Sequence, residues 1–393
     1  MKSLLLRSEV IDYLKHHEQT SLHSFILKGS PFNDISVQEL AQQLEGKRKA
    51  KGKLSLWHDT EGILFPPKLN LEQTSSQATA SYKANLIKSD RIADGTGGFG
   101  IDAFYFAQIA KQVTHIEMNS ELSAFAKNNA QILQQPNIDF IVGDSIDFFS
   151  KTEQKFDIIF LDPGRRTDAK GKVFMLKDCL PNVPLYKHLL LSKCDSLWIK
   201  TAPLLDISAG LEELQNVTEI HIVALKNEVK ELLWKLTTKK SNAPKITVVN
   251  LDTEDPVLTF NYDAIFESTP SYTAPQKYLY EPNAALMKSG AFHWVCDHFK
   301  VNKLHEHSHL YTSTQLKKFA GRRFEIKQVL PYSKKVTKDL QLKKANITTR
   351  NFPMKVEEIR KKLKIKDGGD IYLFFTTLQD GALVVVKCSK ITS

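Results

Sequence analysis

Asp94-Gly95-Thr96-Gly97-Gly98-Phe99-Gly100 is the stretch whose residue types and spacing could do chemistry. It follows the apolar lead Arg91-Ile92-Ala93 and opens a helical stretch, Ile101 to Ala110. Strand, glycine turn and helix in that order form a nucleotide-type cofactor site, because glycines let the backbone turn tightly and approach a ligand. Gly95, Gly97 and Gly100 have dinucleotide spacing. Asp94 argues against a dinucleotide, since a carboxylate there would repel a pyrophosphate on the helix N-terminus. A ligand with cationic groups and no phosphate suits it better, and S-adenosylmethionine carries a sulfonium and an ammonium.

Further acids follow at the ends of apolar runs. Val113 to Glu117 reads as a second strand, and Glu117 stands where a carboxylate would accept hydrogen bonds from both ribose hydroxyls of an adenosine. Asp139 to Val142 is a third strand, ending at Gly143-Asp144-Ser145, where an acid can hold the adenine amino group. Phe156 to Leu161 is a fourth, ending at Asp162-Pro163-Gly164-Arg165-Arg166, and Ser196 to Ile199 a fifth, ending at Lys200. Glu219 to Ala224 and Ile246 to Leu251 complete seven. Alternation of such strands with helices predicts a doubly wound, Rossmann-like α/β sheet with its ligand beyond the strands' carboxyl ends. The expected cofactor set is Asp94, Gly95, Thr96, Gly97, Gly100, Glu117, Met118, Asp144, Ser145 and Asp162.

The ordered strand ends Asp94-Gly95-Thr96-Gly97, Glu117, Gly143-Asp144 and Asp162-Pro163 resemble class I S-adenosylmethionine-dependent methyltransferases. Ser76 to Ala84, Asp162 to Arg166, Lys200 to Asp206 and the tail narrow the resemblance to bacterial members with a THUMP-like C-terminal domain. It covers roughly residues 60 to 393 and implies S-adenosylmethionine as donor, S-adenosylhomocysteine as product and an association with RNA. In amino-methylating relatives an Asp/Asn-Pro-Pro-aromatic turn holds the target amine and stacks its base. Here Gly164 and Arg165 replace the second proline and the ring, so stacking must come from elsewhere. Asp162, Pro163 and Lys200 are the expected catalytic residues, with Arg165, Arg166 and Lys83 against the substrate. The expected acceptor is an RNA base nitrogen.

Some ribose 2′-O-methyltransferases use a Lys-Asp-Lys-Glu set, and Lys83, Asp162, Lys200 and Glu228 fit that order. Lys83 and Glu228 nonetheless read more simply as charges on helix surfaces. Asp206 reads as the N-cap of Ile207 to Leu214, and Asp102 as a helix N-terminal charge. His305, His307 and His309 would share one face of a strand; no fourth ligand has metal-site spacing, so a polar strand face and no metal are expected.

The formal charge of +10 is unevenly placed. Residues 316–393 hold 19 Lys+Arg against 7 Asp+Glu, whereas the rest holds 35 against 37. A basic module beside a near-neutral one suggests a polyanion, with RNA the natural candidate. No apolar run approaches a membrane span, the start lacks a signal-peptide pattern, and the four cysteines are scattered, so a reduced cytoplasmic protein without disulfides is expected. Four regions follow: a mainly helical extension (1–70), the core (71–252), a linker with a small α+β, ferredoxin-like module (253–315) and the basic THUMP-like domain (316–393). Within them Leu54 to Phe65 reads as a strand pair, and Lys226 to Lys239 as a basic helix with Val229, Leu232, Leu233 and Leu236 on one face. The tail reads strand (Phe324–Leu330), helix (Ser333–Lys343), strand (Asn346–Arg350), helix (Val356–Leu363) and two strands around Gly381. The rival readings are a nicotinamide oxidoreductase, an RNA-binding protein with an inert core, and a methyltransferase for protein or small molecules. Oligomeric state leaves no mark in the sequence.

Overall fold

The computed structural model describes residues 2–165, 175–239, 243–333, 336, 340 and 342–392. The chain divides into two compact units, one of Met1–Thr218 with Glu231–Ser241, the other of Glu219–Lys230 with Asn242–Ser393.

In the first unit seven helices precede the first strand: α1 (Lys2–Leu5), α2 (Ser8–His16), α3 (Leu22–Leu27), α4 (Val37–Lys53), α5 (Ser55–Asp59), α6 (Lys68–Gln73) and α7 (Gln77–Leu86). Ser36 caps α4 through a capping box with Glu39, as its sequence signature predicts. Leu54 to Phe65 departs from the expected strand pair. Its first part is the short helix α5, whose Trp57 is buried edge-on against Phe104. One large ring anchored in the core outweighs weak strand propensity there.

Then come β1 (Arg91–Asp94), α8 (Ile101–Ala107), β2 (Gln112–Glu117), α9 (Ser120–Ile132), β3 (Ile138–Val142), α10 (Ser145–Lys151) and β4 (Phe156–Leu161). A small hairpin follows, β5 (Gly164–Arg165) with β6 (Cys179–Leu180), then α11 (Val183–Ser192), β7 (Cys194–Thr201) and α12 (Ile207–Leu214), which Asp206 caps as expected. β1 lies between β2 and β4 and pairs in parallel with both; β3 adds to β2 and β7 to β4, also in parallel. The register sets Asp94 beside His115 and Phe160, so the carboxyl ends of neighbouring strands open on one edge. This is the doubly wound α/β arrangement. Helix α8 is buried nearly all round (Ile101 and Ala103 through Ala107), as a helix lodged inside a core must be.

The basic stretch 226–239 is a strand, not a helix. β8 (Val217–Leu225) is followed by β9 (Glu228–Leu236), which runs antiparallel to β7. Glu231, Leu232, Leu233 and Trp234 are buried in succession, so β9 is covered on both sides. A doubly covered strand loses the alternation that marks a half-exposed one, and its apolar residues then mimic helical spacing.

In the second unit β10 (Lys245–Leu251) pairs in parallel with β8 and antiparallel with β11 (Leu258–Asn261). Next come α13 (Ala264–Glu267), β12 (Tyr278–Pro282), α14 (Ala284–Ser289), α15 (Trp294–Phe299), β13 (Asn302–Lys303), β14 (Tyr311–Ser313), β15 (Gly321–Pro331), β16 (Asn346–Arg350), α16 (Val356–Leu363), β17 (Ile371–Thr377) and β18 (Leu383–Lys390). β12 to β18 form a seven-stranded sheet in the order β13-β14-β12-β15-β18-β17-β16. Most of the helix expected over Ser333–Lys343 lies outside the described residues, but Val336 and Leu340 are buried in a core with Ile359, Leu363 and Phe375. The His305–His309 segment is a turn rather than a strand face. His305 Nδ1 accepts the His307 backbone N–H at 2.9 Å, and His309 stacks on Phe292. Among the described residues no group of three His, Cys, Asp or Glu is placed to hold a metal, and no helix is long and apolar enough to cross a membrane.

Glu281 of β12 is the buried charge that fastens this sheet. Its Oε2 accepts from Arg322 Nε at 2.7 Å on the neighbouring β15, and its Oε1 from Arg350 Nη2 at 2.9 Å on β16. Glu281→Ala is expected to lower stability by about 1–3 kcal/mol, the cost of leaving charged donors without a partner where water only half reaches them. Chemical denaturation checks this, and an unchanged midpoint would contradict it.

Candidate active site

The glycine turn between β1 and α8 is shaped by its neighbours. Gly95 N–H donates to Phe160 O and Gly97 N–H to Ile116 O, both at 2.9 Å, so the turn is stitched to β4 and β2. A Cβ on Gly97 would stand 2.4 Å from His115 Nε2, closer than any side chain permits. Gly100 has φ 80°, left-handed backbone that glycine adopts without strain, and starts α8 there. Around the turn lies a cleft of about 390 Å³ lined by Asp94, Gly95, Thr96, Gly97, Gly100, Asp102, Glu117, Met118, Asp144, Ser145 and Asp162, among others. Every residue expected to hold the cofactor therefore faces one cavity.

The polar contacts show what each acid is free to do. Asp94 accepts the Thr96 N–H at 3.1 Å and is buried. Burial, with Asp102 next and then Asp162 and Glu117, pushes its carboxyl well above the usual range, while the Thr96 N–H opposes the rise. Glu117 accepts the Gly98 N–H through Oε2 and the Asn119 N–H through Oε1, both at 2.8 Å. Each oxygen keeps a lone pair for a ligand hydroxyl. Asp144 is exposed and caps α10 through the Asp147 N–H at 2.9 Å. Met118 is exposed at the rim and Ser145 is buried.

At the end of β4 the backbone N–H of Asp162 donates to Thr96 Oγ1 at 2.6 Å, tying the presumptive chemical residue to the glycine turn. Its Oδ2 accepts from Lys200 Nζ at the end of β7. Burial works against the Lys200 charge, but Asp162, helped by Glu231 and Asp102, outweighs it and holds this lysine above its ordinary pKa. Pro163 is buried directly behind Asp162. Arg166 lies outside the described residues, and only the backbone of Arg165 is described.

Lys83 is not a surface charge. Its side chain is 1% exposed, and its Nζ donates to Glu231 Oε1 and Oε2 at 2.8 and 2.9 Å and to Ser75 Oγ at 3.0 Å, with Asp102 Oδ1 at 3.2 Å. Ser75 Oγ in turn donates to Asp102 Oδ2 at 2.8 Å. Asp102 thus serves this network besides standing in the first turn of α8. Glu228 is exposed and pairs with Lys230 at 2.6 Å, so the acid that meets Lys83 is Glu231. Sequence order pointed to the right segment and the wrong residue, because a helix assumed for 226–239 put no particular acid toward the core.

The donor set fits a cation-bearing nucleoside. Carboxylates of Asp94, Asp102, Glu117 and Asp162 ring the cavity, and the Gly97 cradle leaves room that a Cβ would fill. An α/β core whose acidic strand ends enclose a glycine turn in this way is that of a class I methyltransferase.

Comparison with known proteins agrees. A model described as THUMP domain-like matches residues 321–390, a ferredoxin-like domain model matches 278–319, and a model called Conserved hypothetical protein 95 matches 84–177. A crystal structure from Porphyromonas gingivalis W83, provisionally designated a methyltransferase, is 32% identical over 99% of both chains with a TM-score of 0.89. The chain belongs to this family, the class I S-adenosylmethionine-dependent methyltransferases with ferredoxin-like and THUMP-like C-terminal regions. An uncharacterized RNA methyltransferase of Protochlamydia amoebophila is 28% identical over 31% of this chain and 30% of its own length. Ribosomal RNA small subunit methyltransferase J of Shewanella sp. W3-18-1 is 30% identical over 18% and 31% respectively. The chain therefore spans about a third of the length of these two curated relatives.

Two predictions test the turn. Gly97→Ala is expected to cost about 1–3 kcal/mol of stability by overpacking against His115, and His115→Ala in the same chain to recover part of that loss. Denaturation of the four chains measures the coupling, and strict additivity would refute the contact. Burial also pushes the His115 imidazole down from 6.5 to about 4. The unfolded chain takes up this proton first, so stability is lost as pH falls from 6.5 toward 4, approaching about 3 kcal/mol. His115→Phe should flatten that part of the stability–pH curve and leave the region above pH 7 unchanged.

Proposed function

We propose that this protein transfers a methyl group from S-adenosylmethionine to RNA. The observation that carries the reading is the convergence of Asp94, Glu117, Asp144 and Asp162 on one cavity around the glycine turn. Glu117 would hold the ribose hydroxyls, Asp144 and Ser145 the adenine side, and Asp94 with Gly95, Thr96 and Gly97 the methionine end. The bound donor supplies an already activated methyl group. The protein's task is then to place an acceptor in line with it, to orient that acceptor and to receive its proton. Asp162 is suited to this because Thr96 and Lys200 fix its backbone and one carboxylate oxygen while it still faces the cavity.

RNA as substrate is supported by the printed names of the curated relatives, by the THUMP-like match and by the net charge of residues 316–393. Arg165 and Arg166 stand next to Asp162 in sequence and would meet phosphates, for which guanidinium groups are well shaped. The carboxylate ring also speaks against the nicotinamide alternative, whose pyrophosphate it would repel.

Calorimetric titration with S-adenosylhomocysteine tests the donor site. Wild type should bind, and Glu117→Ala should bind about 10- to 100-fold more weakly, the loss of hydrogen bonds to a charged acceptor. Wild type that does not bind, after removal of copurified ligand, would refute the unassisted reading. Incorporation of label from methyl-labelled donor into RNA is expected with wild type and is to be lost in Asp162→Ala.

A further inference from the structure

We infer that the acceptor atom is a ribose 2′-hydroxyl oxygen of RNA, whose proton passes to Asp162 held by Lys200, with the buried Lys83–Glu231 pair positioning both. This rests on the reading above that RNA is the substrate. It departs from the expected base nitrogen for two reasons visible in the cleft.

The first is what the cleft lacks. The lone pair of a base's exocyclic nitrogen is delocalised into the ring. An enzyme that methylates it must grip the base firmly, which in practice means stacking on an aromatic face. Among the described residues lining the cavity the one aromatic is Phe99, and it is 3% exposed. A hydroxyl oxygen keeps its lone pairs available and needs chiefly orientation and somewhere for its proton to go.

The second is what the cleft holds. Two lysines and two carboxylates from four separate elements meet behind and at its wall: Lys83 of α7, Asp162 after β4, Lys200 of β7 and Glu231 of β9. Burying Lys83 and Glu231 together is costly unless the pair does something a packed apolar pair would not. Glu231 contributes to the field at Lys200 as well as at Lys83, so the four groups form one chain of alternating charge. A change at Lys83 would therefore be felt at the carboxylate of Asp162 although Lys83 does not line the cavity.

The step balances without any further reagent. The 2′-oxygen forms a bond to the methyl carbon as the methyl–sulfur bond breaks, and that electron pair stays on sulfur. The O–H bond breaks, and its proton goes to the Asp162 carboxylate and from there to water. Lys200 keeps its own proton throughout, consistent with its firm pairing to Asp162, and acts by aiming that carboxylate. Asp162 is then the catalytic residue, and Lys200, Glu231 and Lys83 are positioning residues.

The test uses the full chain, methyl-labelled S-adenosylmethionine and total RNA from a strain lacking the gene, followed by alkaline hydrolysis. A 2′-O-methyl group protects the adjacent phosphodiester, so label is expected in dinucleotides. Label in mononucleotides would overturn the inference and leave RNA methylation standing; no label in any RNA would remove the parent reading and this one with it. The positioning role is tested separately. Lys83→Met alone leaves Glu231 buried without its partner and can unfold, so Lys83→Met with Glu231→Met is the informative chain. It should bind S-adenosylhomocysteine within about threefold of wild type and keep its KM for RNA, while kcat falls about 100-fold, the scale of a misdirected proton acceptor. Wild-type kcat in that paired variant would refute the role of the buried pair.

Discussion

Asp94 is the constraint around which the catalytic unit is arranged. A carboxylate buried at the end of the central strand, with Asp102, Asp162 and Glu117 nearby, is electrostatically unfavourable in every respect but one. It prepares a cavity in which a cationic ligand relieves repulsion as it binds. The rest of the wall limits the cost until then. Backbone N–H groups satisfy Asp94 and Glu117, and lysines are set against the acids that lack such donors, Lys200 against Asp162 and Lys83 against Asp102 and Glu231. Low local dielectric strengthens all of these interactions, so the cleft depends on each acid keeping its partner.

The glycine turn and the strand ends were legible in the sequence because both follow from short-range rules. A turn that passes 2.4 Å too close for a Cβ has to be glycine, and parallel strands announce themselves as apolar runs that end where the chain leaves the sheet. All ten expected cofactor residues face one cavity for that reason. Glu231 was not legible. β9 is covered on both sides, so Val229, Leu232, Leu233 and Leu236 fall at i, i+3, i+4 and i+7 without being helical. Pairing with β7 across more than thirty residues decides the strand, and that pairing leaves no local mark. The same limit hid the burial of Lys83, whose partner lies 148 positions away.

The C-terminal unit shows a different balance between local and distant information. Its last two strands and α16 were placed within one residue at most ends, since each is bounded by its own turn or cap. The expected boundary between a ferredoxin-like and a THUMP-like module says nothing of how the two share structure. Both contribute to one sheet through the pairing of β12 with β15, and Glu281 reaches two arginines of the later strands. In a unit so rich in cations, one buried carboxylate can organise two guanidinium groups, because removing it would leave them facing each other.

The two units thus carry opposite electrostatic problems. The catalytic cleft gathers negative charge to receive a cation, whereas residues 316–393 gather positive charge. A polyanionic substrate would be repelled by the first and attracted by the second. Attraction has to come from outside the cleft, and only a short reactive part of the substrate can be admitted to it. A ribose hydroxyl meets that requirement better than a base, since it carries no ring to be accommodated and its phosphates can stay outside the acidic wall. The acid ring that selects the donor therefore also restricts which acceptor can come close, and the Lys200 ammonium beside Asp162 softens the repulsion where the two must meet.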